Sequence, residues 1–458
     1  MTTSKTQYKN DSREKFIELF QQYENSLNGQ KDYAGHAIQK TAIQRFSNDL
    51  NFPTRRNEDW KYTNVTKLLQ PLYSQPDLVD IALGDIKPFL FEGLDASVLV
   101  FVNGTFNKEL SSKDELSKKI IVKDISSVLQ EDGLTKTTAY KYLSKWASKE
   151  KNSFKVLNTA FAQNGIYIEV PDGLVVDRPV HILNIAKAAE EAMVINPQKI
   201  IVTGENSKLT VIETYHHLTN SEQTYFTNTV TQLVLKRNAI VDHYKIQDED
   251  GNAFFVNNTE IEQLRDSTYS SYALDLGGKL VRNNLNSILK DSGTNTNFYG
   301  LYIGVNKQHI DNQTFIDHAF PHCDSNELYK GILMDKAKGI FNGKIMVRKD
   351  AQKTNAFQQN HSLVLSKTAK MNSKPQLEIF ADDVKCSHGA TIGQLNKEAL
   401  YYMRSRGLSE KEAVSILKQA FLTEITELIK IDPVREKVEL MLVDKFKQLK
   451  EPTSEILN

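Results

Sequence analysis

The chain has 458 residues, enough for two or three domains or one elongated one. Its 57 basic and 57 acidic residues balance, so no global basic field points to nucleic acid and no acidic excess to cationic partners. The two cysteines exclude a disulfide framework, and no run approaches the roughly 20 apolar residues of a membrane span. Met1 to Lys15 is polar and lacks the apolar stretch of a signal segment. A cytoplasmic chain with no membrane and no nucleic-acid partner is expected.

In chain order, the first elements read as helices. Asp11 and Glu14 have capping-box spacing, and Phe16, Leu19, Phe20, Tyr23 and Leu27 recur behind them at helical intervals. Ile38, Ala42, Ile43 and Phe46 predict a second helix. Phe52 to Tyr62 is a loop rich in charge and aromatics, Val98 to Val102 a short strand, and about Thr138 to Phe161 a third helical zone. Near Gly165 the period changes. Ile166, Ile168 and Val170 alternate with Tyr167 and Glu169, which is strand spacing. Short β-rich runs then continue to about Ile379, among them Ile240 to Ile246, Phe298 to Ile303 and Gly339 to Val347. Turns such as Lys236-Arg237-Asn238 and Asp291-Ser292-Gly293 separate them. Roughly 200 residues of this pattern predict a β solenoid or a large sandwich. The parallel β-helix is preferred because its coils tolerate uneven lengths; the sandwich is the alternative. The expected division is a mostly helical region over 1–164, a β core over 165–393 and a helical domain over 394–458.

The tail has the clearest pattern. Asn396 to Arg406 is a helix stopped by Gly407. Ser409 and Glu412 form a capping box before the stripe Ala413, Val414, Leu417, Phe421, Ile425 and Leu428. Asp432 caps the last helix, Pro433 takes its first position, and Val434, Val438, Met441, Leu442, Phe446 and Leu449 follow. Such helices either pack on the β domain or on each other, or they offer a docking surface, since a solenoid end has little core to cover.

Candidate chemistry centres on Cys386 and His388. Residues two apart in a strand share a face, so thiol and imidazole can meet one ligand. The plainer reading is a small buried hydrophobe beside a hydrogen-bonded histidine. His318, His322 and Cys323 have a spacing compatible with zinc or iron, although an ordinary polar turn also accounts for them. Two cysteines cannot make a four-cysteine cluster site, but a site completed by another subunit stays open. Gly339 to Ile345 mimics a phosphate loop with too few residues between its glycines, and Ile345 stands where the magnesium-binding hydroxyl belongs. No G-x-S-x-G or H-E-x-x-H motif is present. Asp382 and Asp383 are adjacent, so in a strand they face opposite ways. Arg55 to Thr63 reads as a folded loop with Trp60 anchored in the body.

Four segments together resemble the SufB/SufD family of the SUF iron–sulfur cluster assembly machinery. They are Pro53 to Thr63, with its R-x-E-x-W-K-Y-T pattern; Gly300 to His318, with Gln308-His309, Asp311 and His318; Lys330 to Asn360; and Pro375 to Ile379 leading into Cys386-Ser387-His388-Gly389-Ala390-Thr391 and Tyr402 to Gly407. The Cys-Ser-His-Gly-Ala-Thr run is similar to the SufD branch, not the SufB branch. The resemblance implies a mainly β fold, a right-handed parallel β-helix core flanked by α-helical regions. It implies a non-catalytic scaffold that binds the ABC-type ATPase SufC through its C-terminal helices, with Tyr402, Arg406, Leu417 and Phe421 in the dock. SufB would bind the core, where His388, with Cys386 beside it, helps form nascent clusters and is a candidate metal ligand shared with SufB. No cofactor is held stably by the chain alone; iron or an iron–sulfur cluster would be transient, and ATP would sit on SufC. Alone, the chain would be a candidate homodimer. The competing reading is a stand-alone cytosolic β-helix enzyme acting on a sugar or acyl substrate, which requires a groove with converging carboxylates.

Overall fold

The computed structural model describes residues 3–27, 34–112, 116, 119–131, 133, 137–187, 190–218 and 223–447. Helices α1 (Thr3–Ser26) and α2 (Ala34–Asp49) open the chain. Helix α1 starts well before the expected capping box, so Asp11 and Glu14 lie inside it; no glycine or proline between Thr3 and Asp11 breaks the helix earlier. After the single turn α3 (Leu83–Ile86) come α4 (Ile125–Gln130), α5 (Thr138–Lys149) and α6 (Ser153–Ala160). The third helical zone is thus two helices. The break falls at Asn152, whose side chain accepts the Phe154 N–H and caps α6.

Strands β1 (Ser97–Val102), β2 (Thr105–Asn107) and β3 (Ile121–Asp124) precede the core. The solenoid runs through β4 (Gly165–Val170), β5 (Val180–Ala186), β6 (Met193–Ile195), β7 (Gln198–Thr203), β8 (Lys208–His217), β9 (Tyr225–Leu235), β10 (Ile240–Asp248), β11 (Phe254–Gln263), β12 (Thr268–Asp275) and β13 (Leu280–Leu289). It continues through β14 (Asn295–Gly304), β15 (His309–His318), β16 (Asp324–Leu333), β17 (Lys338–Val347), β18 (Asn355–Val364), β19 (Lys370–Ser373), β20 (Gln376–Ile379) and β21 (Lys385–Gly393). From β8 to β19 successive strands alternate between two sheets, and β20 joins β19 on β17 before β21 returns to the other sheet. One sheet has the order β1-β5-β8-β10-β12-β14-β16-β18-β21, and the other is built on β4, β7, β9, β11, β13, β15 and β17. Pairing is parallel throughout, except β1 with β2 and β3 with β4. This is a β solenoid of about 8 turns, not a sandwich. Its coils are uneven: Thr268 pairs with Asn295, Asn295 with Asp324, and Asp324 with Asn355.

One corner explains how uneven coils stay stacked. Asn206, Asn238, Asp266, His322 and Lys353 all have φ between 53° and 60°, and Gly173 and Gly293 join them at 75°. Their N–H groups bond from coil to coil: Asn206 to Arg237 O, Asn238 to Arg265 O, Asp266 to Ser292 O, His322 to Gln352 O and Lys353 to Asp383 O. A left-handed residue turns the chain sharply at each corner, and the ladder satisfies its amide. Most of the corner positions are Asn, Asp or Gly, the types that tolerate this conformation.

Each sheet has a covered outer face. The N-terminal helices bury Phe16, Phe20, Ile43, Phe46, Trp146 and Phe154 against Phe226, Phe254 and Val256 of the odd-numbered strands. The other sheet is covered by the tail, α7 (Lys397–Ser405), α8 (Glu410–Thr426) and α9 (Asp432–Lys447). Leu422, Ile425, Val434, Val438 and Leu442 pack on Tyr244, Ile246, Tyr272, Leu274, Leu301 and Leu328. The premise that a solenoid end leaves these helices little to cover is therefore corrected: α8 and α9 lie on the flank and bury their stripe there. The Ser409–Glu412 capping box forms as expected. Leu449, and positions 448–458 of the expected tail domain, lie outside the described residues.

Candidate functional site

Strand β21 is the last rung of its sheet. It pairs with β18 on one side, and the sheet ends at its other edge. In register, Cys386 stands beside Ala356 and His388 beside Gln358, so the two predicted residues do share the lumenal face. Their surroundings differ. Cys386 is half-buried with Ile345, Val347, Ala356, Ala381 and Leu377, and burial pushes its thiol pKa up. It packs as a small hydrophobe. His388 is exposed, and among the described residues its imidazole has no hydrogen-bond or ion-pair partner. His361, also near this end, faces the other way, its Nδ1 2.7 Å from Thr391 Oγ1.

Beneath His388 the lumen is polar. Glu327, one rung below Gln358, is fully buried. Its Oε2 accepts from Gln358 Nε2 at 3.0 Å and from the Thr314 hydroxyl at 2.8 Å. Burial, with no cation beside it, raises the Glu327 carboxyl from its ordinary 4.5 to about 7. The unfolded chain then ionises near pH 4.5, whereas the folded chain holds the proton until about pH 7. Stability therefore falls as pH rises through that window, by about 3 kcal/mol in total, and is flat above it. Urea unfolding of Glu327→Gln, neutral at every pH, is expected to show a shallower loss between pH 5 and 8. An unchanged pH dependence would mean that Glu327 is already ionised in the folded chain.

The second predicted cluster does not converge. His318 ends β15 fully buried, its Nε2 2.9 Å from Ser325 Oγ, and burial lowers its pKa to about 4. His322 is an exposed corner residue at φ 58°. Cys323 is buried, with its thiol donating to the Asp291 and Pro321 carbonyls. Among the described residues, no group of three or more His, Cys, Asp and Glu side chains could hold a metal ion.

The N-terminal motif is an anchor. Trp60 is buried and lies 4.1 Å from the Arg282 guanidinium. Arg282 donates to Asp311 Oδ2 at 2.6 Å, to the Asp59 carbonyl at 2.8 Å and to Asn284 Oδ1 at 2.9 Å. The Thr63 hydroxyl donates to Asp311 and lies 2.8 Å from His309 Nε2, while Glu58 pairs with Lys374. His309 and Asp311, read earlier only as part of a pattern, thus tie the loop to β13 and β15. Arg282 escaped the sequence reading: within Leu280-Val281-Arg282-Asn283 it looks like any outward strand residue.

Of the predicted docking residues, Tyr402 and Arg406 are exposed, with the guanidinium 5.1 Å from the Tyr402 ring centre. Leu417 and Phe421 are half-buried, and Lys330 Nζ sits over the Phe421 ring while donating to its carbonyl. Tyr401 and Ile416 add exposed apolar surface to the same helices, and Leu440 adds it to α9. A groove of about 1000 Å³ on the flank carries Asp248, Glu249 and Asp250, facing Lys279, Lys307 and Lys336. Glu249 is buried there and accepts from Thr227 and Gln247. Among the described residues, no helix is long and apolar enough to cross a membrane.

Comparison with known proteins agrees with this architecture. Residues 10–182 match the family described as SufBD protein N-terminal region, and residues 184–421 match SUF system FeS cluster assembly, SufBD core domain. An iron-sulfur cluster assembly SufBD family protein of Synechocystis is 32% identical over 388 residues, 83% of this chain and 84% of that one. The iron-sulfur cluster assembly protein SufD of Escherichia coli is 30% identical over 392 residues, 84% of this chain and 87% of its own. That of Bacillus subtilis is 27% identical over 398 residues, covering 85% and 88%. With both halves matched and relatives aligned over most of their length, the chain belongs to the SufB/SufD family of iron–sulfur cluster assembly proteins and is of the SufD type.

Proposed function

We propose that the chain is a non-catalytic scaffold subunit of a SufB–SufC–SufD-type complex. SufB binds at the open end of the β-helix and SufC on the C-terminal helices. The observation that carries this reading is β21, the terminal strand of its sheet, bearing a His388 that has no partner among the described residues. An uncovered parallel edge invites strand addition from another chain. A SufB strand added there would meet His388 directly; in isolation a second copy could take its place and give a homodimer. Neutral imidazole is an intermediate ligand for iron and can be completed from across an interface. Iron or a nascent cluster is thus shared with SufB and held only transiently, while ATP is bound by SufC.

The mechanism follows from the two attachment points. SufC subunits that dimerise on ATP pull on the tail helices of SufB and of this chain. Because α8 is packed on β14 and β16, the pull reaches the core and shifts the SufB contact, exposing His388. Deleting the tail would strip the flank of the sheet, so surface variants are the better test. Tyr402→Ala with Arg406→Glu is expected to weaken SufC binding by about 2 kcal/mol or more, roughly 30-fold. Association with SufB should persist in co-expression and pull-down. Full SufC retention by the double variant would move the dock elsewhere.

A further inference from the structure

Strand β21 runs into the tail. It ends at Gly393, just past Thr391, and α7 begins at Lys397. Helix α7 packs on α8 through Leu400, Ala413 and Val414. A load on these helices therefore reaches Gly393 along the chain itself. Strand β21 has a neighbour on one side only, so such a load peels it from β18 unless something holds it. On the outer face of the sheet a second connection runs back to the same helix. Lys330, His361 and Thr391 stand in register on β16, β18 and β21. Lys330 is buried under α8: its ammonium pairs with Glu424, donates to the Phe421 carbonyl at 2.9 Å and lies 4.8 Å from the Phe421 ring centre. His361 is held at both ring nitrogens. Nε2 lies 3.4 Å from Gln359 Oε1, which can only accept, so Nε2 carries the proton. Nδ1, 2.7 Å from Thr391 Oγ1, then accepts from that hydroxyl. Between Lys330 and His361 the link is electrostatic: burial, and then the Lys330 charge, hold the imidazole below its ordinary pKa, so the ring is neutral.

We propose that this column is a latch: the Thr391–His361 hydrogen bond pins the tail end of β21 to β18 for as long as α8 keeps the Lys330 ammonium engaged. An ammonium has three donors and no acceptor. When α8 lifts, Lys330 loses Glu424 and the Phe421 carbonyl together. The lone pair of His361 Nδ1 is then an acceptor on the next rung, about 4.8 Å away by strand spacing. The freed ammonium competes with the Thr391 hydroxyl for it, the pin weakens, and β21 loosens in the strand that carries His388. The use of this motion in cluster assembly rests on the reading of the tail as the SufC dock.

The test is amide hydrogen exchange on the full chain, read by mass spectrometry over the peptide covering residues 385–393. Glu424→Gln keeps the shape of the side chain but removes the charge that holds Lys330. It is expected to speed exchange in that peptide by about 5-fold or more. In the Thr391→Val background the latch bond is already gone, so the same substitution is expected to change exchange less than about 2-fold, the scatter of independent sites. Glu424 and Thr391 are both exposed and each replacement is nearly isosteric, so the fold is retained. Lys430→Met cuts a different tail anchor, the pair with Asp242 on β10, and is expected to act alike in both backgrounds. A merely structural loosening of the tail would give Glu424→Gln that same pattern. Equal acceleration by Glu424→Gln in the two backgrounds, or none in either, overturns the proposal. The exchange is measured without partners. It therefore stands apart from SufC binding by the Tyr402→Ala, Arg406→Glu variant, which decides where the ATPase docks.

Discussion

Replacing His388 with Ala is expected to abolish cluster build-up on the complex while leaving the complex assembled. The side chain is exposed on the last rung and has no partner among the described residues, so its loss removes no packing and no hydrogen bond. Surface substitutions of this kind stay within about 0.5 kcal/mol of wild-type stability. A drop in cluster yield, read from the absorbance of purified complex, is then chemical in origin. Cys386→Ala is the informative companion. Its thiol is packed among aliphatic side chains with a raised pKa, so little change in yield is expected. Normal yield from His388→Ala, with the complex intact, would leave all the chemistry to SufB and reduce this chain to structure.

Arg282→Ala is expected to cost about 3 to 5 kcal/mol of stability, the range for breaking a buried ion pair from one side. The substitution leaves Asp311 buried with Thr63 and Gln313 as its remaining donors, removes the bond to the Asp59 carbonyl and uncovers one face of Trp60. Arg282→Lys should recover only part of the loss, because an ammonium cannot both stack on the indole and reach two acceptors in a fixed fork. Urea unfolding measures both, and limited proteolysis should find the loop at 53–63 newly cleavable. A loss below about 1 kcal/mol would show that the N-terminal region is held by its apolar contacts alone.

The fold was legible where periodicity carries it. Alternation at Ile166, Ile168 and Val170 marked the entry to the solenoid, and the capping box at Ser409 marked α8. The coil boundaries were not legible, because a corner demands a backbone angle and not a residue. Asn238, Asp266, His322 and Lys353 fill equivalent places, and the spacing of His322 from His318 fits a polar turn as well as a metal ligand. At the site, spacing revealed that Cys386 and His388 share a face. It could not say which of them meets solvent, since that depends on β21 having no rung above it. Arg282 was invisible because its partner at Asp59 is 223 residues away in the chain. The tail stripe was plain, but the surface it covers depends on which sheet face the solenoid leaves bare.

A stack in which each coil touches only its neighbours stores its cooperativity along one axis. Interior coils are braced from both sides; the coil carrying β21 is braced from one. Amide protection should therefore decline toward residues 385–393, and this end should be the last to order during folding and the first to fray. An intact His388 environment then certifies that every coil behind it has closed, and a strand added by a partner supplies the missing brace.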